Sequence, residues 1–427
     1  MIGLEKALRK IDGKGYKSYK DLNGISWNVD GMEFRLVRVQ GDPFAPPSVV
    51  EVKVRRGFPI RLPSEDFLHR RLYTELRRRS RKKGEGKSGF LGVHRASNAM
   101  LLRSSVKATA SETKFRVWVG LPSTRRRVLA DDALEMLARD LPRSVIGALN
   151  NLEGLDDHIR TYKTYVQIRR FLESNDYIAF VGDGSILPRA CSTCEEPLKG
   201  AIPFESPPSL RAEIETESGV VSGMVIKRGI TAVTGPAFHG KTTLLEAMAR
   251  GVWPHVPGDG RERVVTLDDA FYVRSEDGRR TSCVDISTFV NLKSSRCFNT
   301  EDASGATSAA SSFQEAVEGG SRILLLDEDY TATNFLFFDD RLKIIYDTKT
   351  VYTVSEKLES MKRKGLSLIV IASGSAPILA KADVVIYMKD YLPKDVTEKA
   401  KVINVGVDTS DYNFPKERVL NYKPPRR

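Results

Sequence analysis

Long apolar runs are missing from this chain of 427 residues. The longest, Ile323-Leu324-Leu325-Leu326 and Leu368-Ile369-Val370-Ile371-Ala372, fall far short of the roughly 20 apolar residues that span a bilayer. Met1-Ile2-Gly3-Leu4-Glu5-Lys6 carries charge where a signal peptide would place its apolar centre. Membrane and secreted classes are therefore set aside, and a cytoplasmic protein is expected. Cysteine is scarce too, with only Cys191, Cys194, Cys283 and Cys297. Cys191-Ser192-Thr193-Cys194 has zinc-knuckle spacing, but neither a second such pair nor a histidine pair follows to complete four ligands. Ordinary reduced thiols are expected, with a metal or redox role as the alternative. Disorder is excluded by 41% hydrophobic residues.

Negative charge is sparse in the first third. Residues 1–130 hold 29 Lys and Arg against 12 Asp and Glu, whereas residues 131–427 hold 38 against 43. All of the net charge of +12 therefore sits at the front, which points to a polyanion-binding part joined to a part with another task.

Alternation at Met32–Val39, Val50–Val54 and Lys114–Val119 predicts half-buried strands, separated by a loop at Gly41–Pro47. Residues 1–130 thus read as a small, strand-rich basic domain. Leu134, Leu137 and Leu141 recur at helical spacing, and Leu155 to Leu172 predicts a long amphipathic helix. Residues 131–204 read as this helical segment followed by a Pro- and Gly-rich crossing over Ser185–Pro208. From 205 to 427 short apolar runs at Ile230–Val233, Val264–Leu267, Ile323–Leu326, Leu368–Ala372 and Val384–Met388 alternate with helical segments, so an α/β domain with a largely parallel sheet is expected. The tail Lys423–Arg427 reads as mobile.

Gly235-Pro236-Ala237-Phe238-His239-Gly240-Lys241-Thr242 fits G-x-x-x-x-G-K-[ST], with an apolar strand before it and a helix opening at Thr242-Thr243. Such a loop turns backbone N–H groups inward around phosphates at a helix N-terminus. Lys241 would reach the β- and γ-phosphates, Thr242 would hold Mg²⁺ and Thr243 would contact the α-phosphate. Asp327 and Glu328 end the apolar strand Ile323–Leu326, placing Asp327 as a second Mg²⁺ residue and Glu328 as the base for an attacking water. Gly84-Glu85-Gly86-Lys87-Ser88 ends like a phosphate loop, but Arg81 stands where its first glycine should be, so it is rejected. Ala303-Ser304-Gly305-Ala306-Thr307-Ser308 opens a helix of small residues, and Ser304 precedes Asp327 by 23 positions. That spacing resembles the distance from the signature serine to the Walker B aspartate in ABC ATPases.

Together with residues 13–20, Gln40–Ser48, Gly182–Arg189, Pro257–Glu262 and Asp327–Asn334, these motifs are similar to the "predicted ATPase of the ABC class" family. The resemblance covers most of the chain. It implies an ABC-type P-loop domain without transmembrane partners, Mg²⁺ and ATP at the boundary of a homodimer, Ser304 and Gly305 supplied in trans, and an association with RNA. Three departures stand out. Asn334 occupies the D-loop aspartate position, Ala372-Ser373-Gly374-Ser375 replaces the switch histidine, and no glutamine lies between Lys241 and Ser304, leaving Asp285 or another polar residue in its place. Slow, switch-like hydrolysis is the expectation. Phe204, Tyr177 and Phe180 are each either the adenine platform or core.

Nine basic and two acidic residues lie between Arg70 and Lys87. Arg77, Arg78, Arg79, Arg81, Lys82, Lys83 and Lys87 are read as a helix end entering a flexible loop that wraps a nucleic-acid backbone, rather than as a merely solvated face; Arg125-Arg126-Arg127 adds a second cluster. Tyr73 and Phe90 are either base-stackers or core. No sequence-reading module is present, so binding by shape or to single strands is expected. The reading is an ATPase that couples dimer closure to RNA. The alternatives are a DNA-directed ABC ATPase, disfavoured because the 62 residues from Lys241 to Ala303 leave no room for a coiled coil, and an ATP-binding scaffold with little turnover, against which Glu328 argues.

Overall fold

The computed structural model of the chain describes residues 2–338, 350–403 and 410–415. The stretch Lys423–Arg427, expected to be mobile, lies outside the described residues. The chain divides into two compact units, Met1–Tyr162 with His255–Pro257, and Lys163–Pro254 with Gly258–Arg427.

The first unit opens with α1 (Ile2–Ile11) and strands β1 (Ser26–Val29), β2 (Met32–Arg38) and β3 (Ser48–Val54). Asp30 and Gly31, both at positive φ, close the β1–β2 hairpin with the two-residue turn whose twist suits its strands. After α2 (Arg61–Arg79) come β4 (Leu91–Gly92), β5 (Val106–Ala108) and β6 (Thr113–Val119). These six strands form an antiparallel sheet of order β1-β2-β3-β6-β4, with β5 also on β6. A small hairpin, β7 (Ser123–Thr124) and β8 (Arg127–Val128), leads to α3 (Ala130–Glu135), which passes through one π turn into α4 (Leu141–Asn150), and then to α5 (Leu155–Ser174), whose residues from Lys163 on belong to the second unit. The expected strands and the long helix at Leu155 are present.

Helix α2 runs for 19 residues and ends in the basic run. Leu68, Leu72 and Leu76 face the core at spacing four, but the same face also buries Glu65, Asp66 and His69, which masks its amphipathicity. The expected flexible loop after it is instead tied down. Lys83 N–H donates to Ser88 O, Glu85 N–H to Ser123 O, Lys87 N–H to Pro43 O and Gly89 N–H to Gly120 O.

The second unit contains two larger sheets. Strand β9 (Tyr177–Gly182) pairs antiparallel with β11 (Gly219–Lys227), which pairs with β10 (Arg211–Thr216). The phosphate-loop strand β12 (Ile230–Thr234) leads into α6 (Lys241–Arg250), followed by β13 (Val264–Thr266), β14 (Ala270–Val273), and the β15 (Arg279–Val284)/β16 (Phe298–Ala303) hairpin. Then come α7 (Gly305–Glu318), β17 (Ile323–Asp327), α8 (Thr333–Leu336), β18 (Ser367–Ile371), β19 (Val384–Lys389) and β20 (Leu392–Asp395). The main sheet runs β14-β17-β18-β12-β19-β20, parallel except for β20. Both faces are covered, which is why its strands read as unbroken apolar runs. Val233, Leu325, Ile369 and Ile386 pack on the α6 side, and Ala232, Leu324, Leu326, Leu368 and Val385 on the α7 side.

One expected parallel strand changes partner. Val264–Thr266 pairs antiparallel with β9, and the edge position of the parallel sheet goes to Ala270–Val273, which has too few aliphatic residues to signal a strand. Neither pair of cysteines is reduced. Cys191 bonds Cys194 and Cys283 bonds Cys297, because a tight turn (Cys194 N–H to Cys191 O, 3.1 Å) and the pairing of Val284 with Phe298 at the loop end of the β15–β16 hairpin bring the α-carbons to 4.9 and 4.0 Å. Among the described residues no group of His, Cys, Asp and Glu is arranged to hold a metal through three such side chains. No helix among them is long and apolar enough to cross a membrane.

Candidate functional site

The parallel register brings the C-terminal ends of β12, β18 and β17 level, since Val233 is opposite Ile371 and Ile371 opposite Asp327. The phosphate loop, the segment Ala372–Ser375 and the Asp327-Glu328 pair therefore leave the sheet at one edge. Gly235 and Gly240 take positive φ (136° and 90°), and a Cβ on Gly235 would sit 2.3 Å from Met388 O, so the turn needs glycine there. Phe238 also has positive φ and is 94% exposed at the loop tip. His239 Nδ1 accepts a hydrogen bond from Asp390 N–H at 2.8 Å. Pro236 and Ala237 complete the loop, and Lys241 Nζ donates back to Gly235 O (2.8 Å) and Pro236 O (2.7 Å).

Asp327 is fully buried. Burial pushes its carboxyl up from the ordinary range, hydrogen bonds from Asp329 N–H and the Thr242 hydroxyl pull it back, and the charges of Asp329 and Glu246 push it up again. Its Oδ2 has no hydrogen-bond partner. A buried carboxylate oxygen without a donor, beside a threonine hydroxyl that opens a helix, is a fit for Mg²⁺. Glu328, the next residue, is held through Oε2 by Ser373 N–H (2.6 Å) and Gly374 N–H (3.2 Å). These amides belong to the segment Ala372–Ser375, which stands in place of a switch histidine.

Ser304 is the exposed N-cap of α7, with Gly305 as its first residue and Ser304 Oγ 3.1 Å from Thr307 Oγ1. Asn334 is exposed on α8. Asp285, the residue named for the place of the missing glutamine, follows β15 and accepts hydrogen bonds from Ser287 N–H and Oγ. Arg274 follows β14, whose last residue Val273 is opposite Leu326 beside Asp327; its guanidinium lies over the rings of Tyr272 (4.4 Å) and Tyr330 (4.6 Å) and reaches Glu246 at 3.3 Å. Nothing in the local sequence marks Arg274, since its neighbours come from β14, β17 and α6.

Behind Gly240 and Thr243 lies an apolar cavity of about 270 Å³, walled by Leu198, Ile202, Phe204, Met388 and Tyr391. Of the three aromatics considered as platform, Phe204 lines this cavity, whereas Phe180 is sealed in the sheet and Tyr177 stacks on Phe171. Tyr391, 55% exposed, was not foreseen because it lies 150 residues beyond the loop.

The basic run is only partly free. Arg78 and Arg79 pair with Glu75, and Lys83 with Asp132 and Glu135. Arg70 is bound to buried Asp66, and Arg71 lies over Phe67. Arg77, Arg81, Lys82 and Lys87 are exposed. Tyr73 packs against the core, and Phe90 is 36% exposed.

Two family descriptions together match residues 1–425. "ATPase of the ABC class N-terminal" covers residues 1–152, and the P-loop domain of the ABC ATPases covers 151–425. An uncharacterized protein of Methanocaldococcus jannaschii is 33% identical over 202 residues, which is 45% of this chain and 44% of that protein, so the match spans less than half of the relative. Among solved structures, cbiO1 from Clostridium perfringens, part of the ABC transporter complex cbiONQ, aligns at 15% identity over 51% of this chain and 87% of that one, with a TM-score of 0.32. The ADP conformation of MJ1267, an ATP-binding cassette of an ABC transporter, aligns at 11% over 53% and 93%, also with a TM-score of 0.32. At that TM-score neither bears on the fold, which rests on the family matches and the strand order.

Proposed function

The chain belongs to the ATPases of the ABC class, and on that premise we propose that it hydrolyses ATP between two copies of itself and couples closure of the pair to single-stranded RNA held by its N-terminal unit. The observation that carries the site is the convergence of the phosphate loop, Thr242, Asp327 and Glu328 at one sheet edge, with Asp327 Oδ2 buried and unpartnered. Lys241 exchanges the carbonyls of Gly235 and Pro236 for the β- and γ-phosphates, and the amides from Ala237 to Thr243 surround the phosphate chain. Adenine fits the cavity beside Tyr391, on the Thr243 side of the loop. Thr242 and Asp327 would hold Mg²⁺, which would supply neutralisation of phosphate charge when bound.

Glu328 accepts the proton of the attacking water. The Ser373 and Gly374 amides fix Oε2, which leaves Oε1 for that water. Ser304 and Gly305 of the second copy meet the γ-phosphate with the hydroxyl and amide of a helix N-terminus. Arg274 takes the place of the missing glutamine, and the absent histidine favours slow turnover.

The test is ATP turnover of the purified protein with and without short single-stranded RNA, beside Glu328→Gln. A general base contributes about 10²–10⁴-fold, so the variant is expected to lose turnover by at least about a hundredfold while still binding ATP. Stimulation by RNA supports the coupling. Turnover indifferent to RNA, with no RNA retained, removes the RNA half and leaves the ATPase; equal turnover by wild type and variant removes the assignment of Glu328.

A further inference from the structure

The antiparallel sheet of the first unit buries one face. Phe34, Leu36, Val50, Val52, Phe115 and Val117 are sealed in the core. The other face presents three rows of side chains across the strands. In the first, Lys107, Lys114, Lys53 and Glu33 lie opposite one another in turn; in the second, Arg116, Glu51 and Arg35. The third row is Trp118, Val49 and Arg38. Six basic residues thus share this face with two acidic ones.

Strict alternation would turn Arg38 inward, behind Leu36. The register shifts between Leu36 and Arg38, and this bulge leaves Val37 and Arg38 both exposed, bringing the guanidinium to the Trp118 row. Bulges that re-aim a side chain are frequent beside functional sites. On the other flank Trp118 pairs with Gly92, where the Phe90 ring takes the space of a side chain: a Cβ there would sit 2.5 Å from Phe90 Cζ. The outcome is a cavity of about 190 Å³ walled by Arg38, Val49, His94, Ser105, Arg116 and Trp118. It is smaller than the roughly 300–1,000 Å³ clefts that take whole drug-sized ligands, and so sized for one ring system.

Its walls are chemically mixed. The His94 ring meets Trp118 edge-on at 4.3 Å between centroids. Arg38 is anchored by one bond to Pro47 O at 3.0 Å, and Arg116 by Glu51 at 3.2 Å. Ser105 Oγ is fixed 2.6 Å from His69 Nδ1.

We propose that single-stranded RNA crosses this outer sheet face, with one base stacked on Trp118 in the cavity and its phosphates on Arg38 and the lysine row. The proposal deepens the RNA reading given above and rests on it, but it moves the principal contact away from the Arg77–Lys87 run. Indole and imidazole offer the stacking surface that any base accepts, serine and arginine offer hydrogen bonds to its edge, and cationic rows track the backbone. Of the basic run, Arg79 at the end of α2 is paired with Glu75, and Lys83 with Asp132 and Glu135.

The experiment is fluorescence anisotropy of a labelled oligouridylate with the full chain. Trp118→Leu and Arg38→Gln are each expected to weaken binding about tenfold, and Trp118→Phe to retain most of it. Arg38→Gln alters only an exposed side chain, so its loss of binding does not depend on the fold of the tryptophan variant. A fourth variant carries Arg77→Gln, Arg81→Gln, Lys82→Gln and Lys87→Gln, and is expected to bind at near wild-type strength. Unchanged binding by Trp118→Leu and Arg38→Gln, with loss in the fourth variant, overturns the cavity and keeps RNA as ligand. No binding by the wild-type chain overturns both.

Discussion

Arg274 and His69 show how single residues acquire roles from neighbours far away in sequence. Arg274 is stacked between Tyr272 and Tyr330 at the strand end that adjoins Asp327. If it supplies the positive charge that a glutamine contact would otherwise support, Arg274→Ala lowers turnover at saturating ATP by about tenfold or more, as loss of a preorganised donor does. Arg274→Lys restores little, because a lysine cannot stack flat between two rings. Unchanged turnover in Arg274→Ala sinks the role. His69 is buried under the first unit's sheet, where desolvation, then the Arg103 charge, push its pKa down to about 4. Its neutral form is therefore the folded form, and the unfolded chain takes up the proton near pH 6.5. Stability is full above that pH and falls as pH drops towards 4, by on the order of 3 kcal/mol. Asp66 adds a second stage. Burial would raise its carboxyl, but hydrogen bonds from His158, Arg70 and Arg103 hold it well below the ordinary carboxylate range. Its contribution is present above about pH 4 and is lost at lower pH. Urea midpoints measured across this range are expected to decline, and His69→Gln to flatten the upper stage; a pH-independent midpoint in the wild-type chain contradicts both.

At the scale of elements, the segment after α2 is the clearest case of order imposed from outside. Its glycines and charges suggest a mobile loop, yet its backbone bonds to β7 and to the loop at Pro43. Gly84 sits at φ 117° with Ser123 O only 1.7 Å from where a Cβ would be. Gly84→Ala is expected to cost about 2 kcal/mol through strain and displacement of β7, read as a lowered urea midpoint. Little change there would mean the loop is as free as its composition suggests. A companion effect shapes the Arg125-Arg126-Arg127 cluster, in which Arg125 and Arg126 are the central residues of the β7–β8 turn, both at positive φ. The turn thus projects arginine side chains from positions where glycine or asparagine would be easier.

Across the whole molecule, the proposed ATP site is complete only with Ser304 and Gly305 of a second copy. Turnover per chain should then rise with protein concentration, and Glu328→Gln with ATP should elute as a dimer while the nucleotide-free chain does not. Turnover independent of concentration, together with a monomer under both conditions, would contradict a shared site. Charge is divided unevenly: the excess of basic residues lies in the first unit and the phosphate loop in the second.

Whatever depends on short stretches of chain can be read from the order of residues alone. The phosphate loop, the carboxylates ending an apolar strand, the small-residue helix start and the alternation of β2, β3 and β6 each follow from local backbone preference or from side-chain period, and all were legible without coordinates. Tertiary structure decided which charges are spent and which surfaces are assembled. Lys83 is consumed by Asp132 and Glu135, about 50 residues away, Tyr391 reaches the nucleotide loop from beyond β19, and a one-residue bulge turns Arg38 towards Trp118. Such outcomes depend on strand register and on contacts between distant segments, where a shift of one residue reverses the face a side chain occupies.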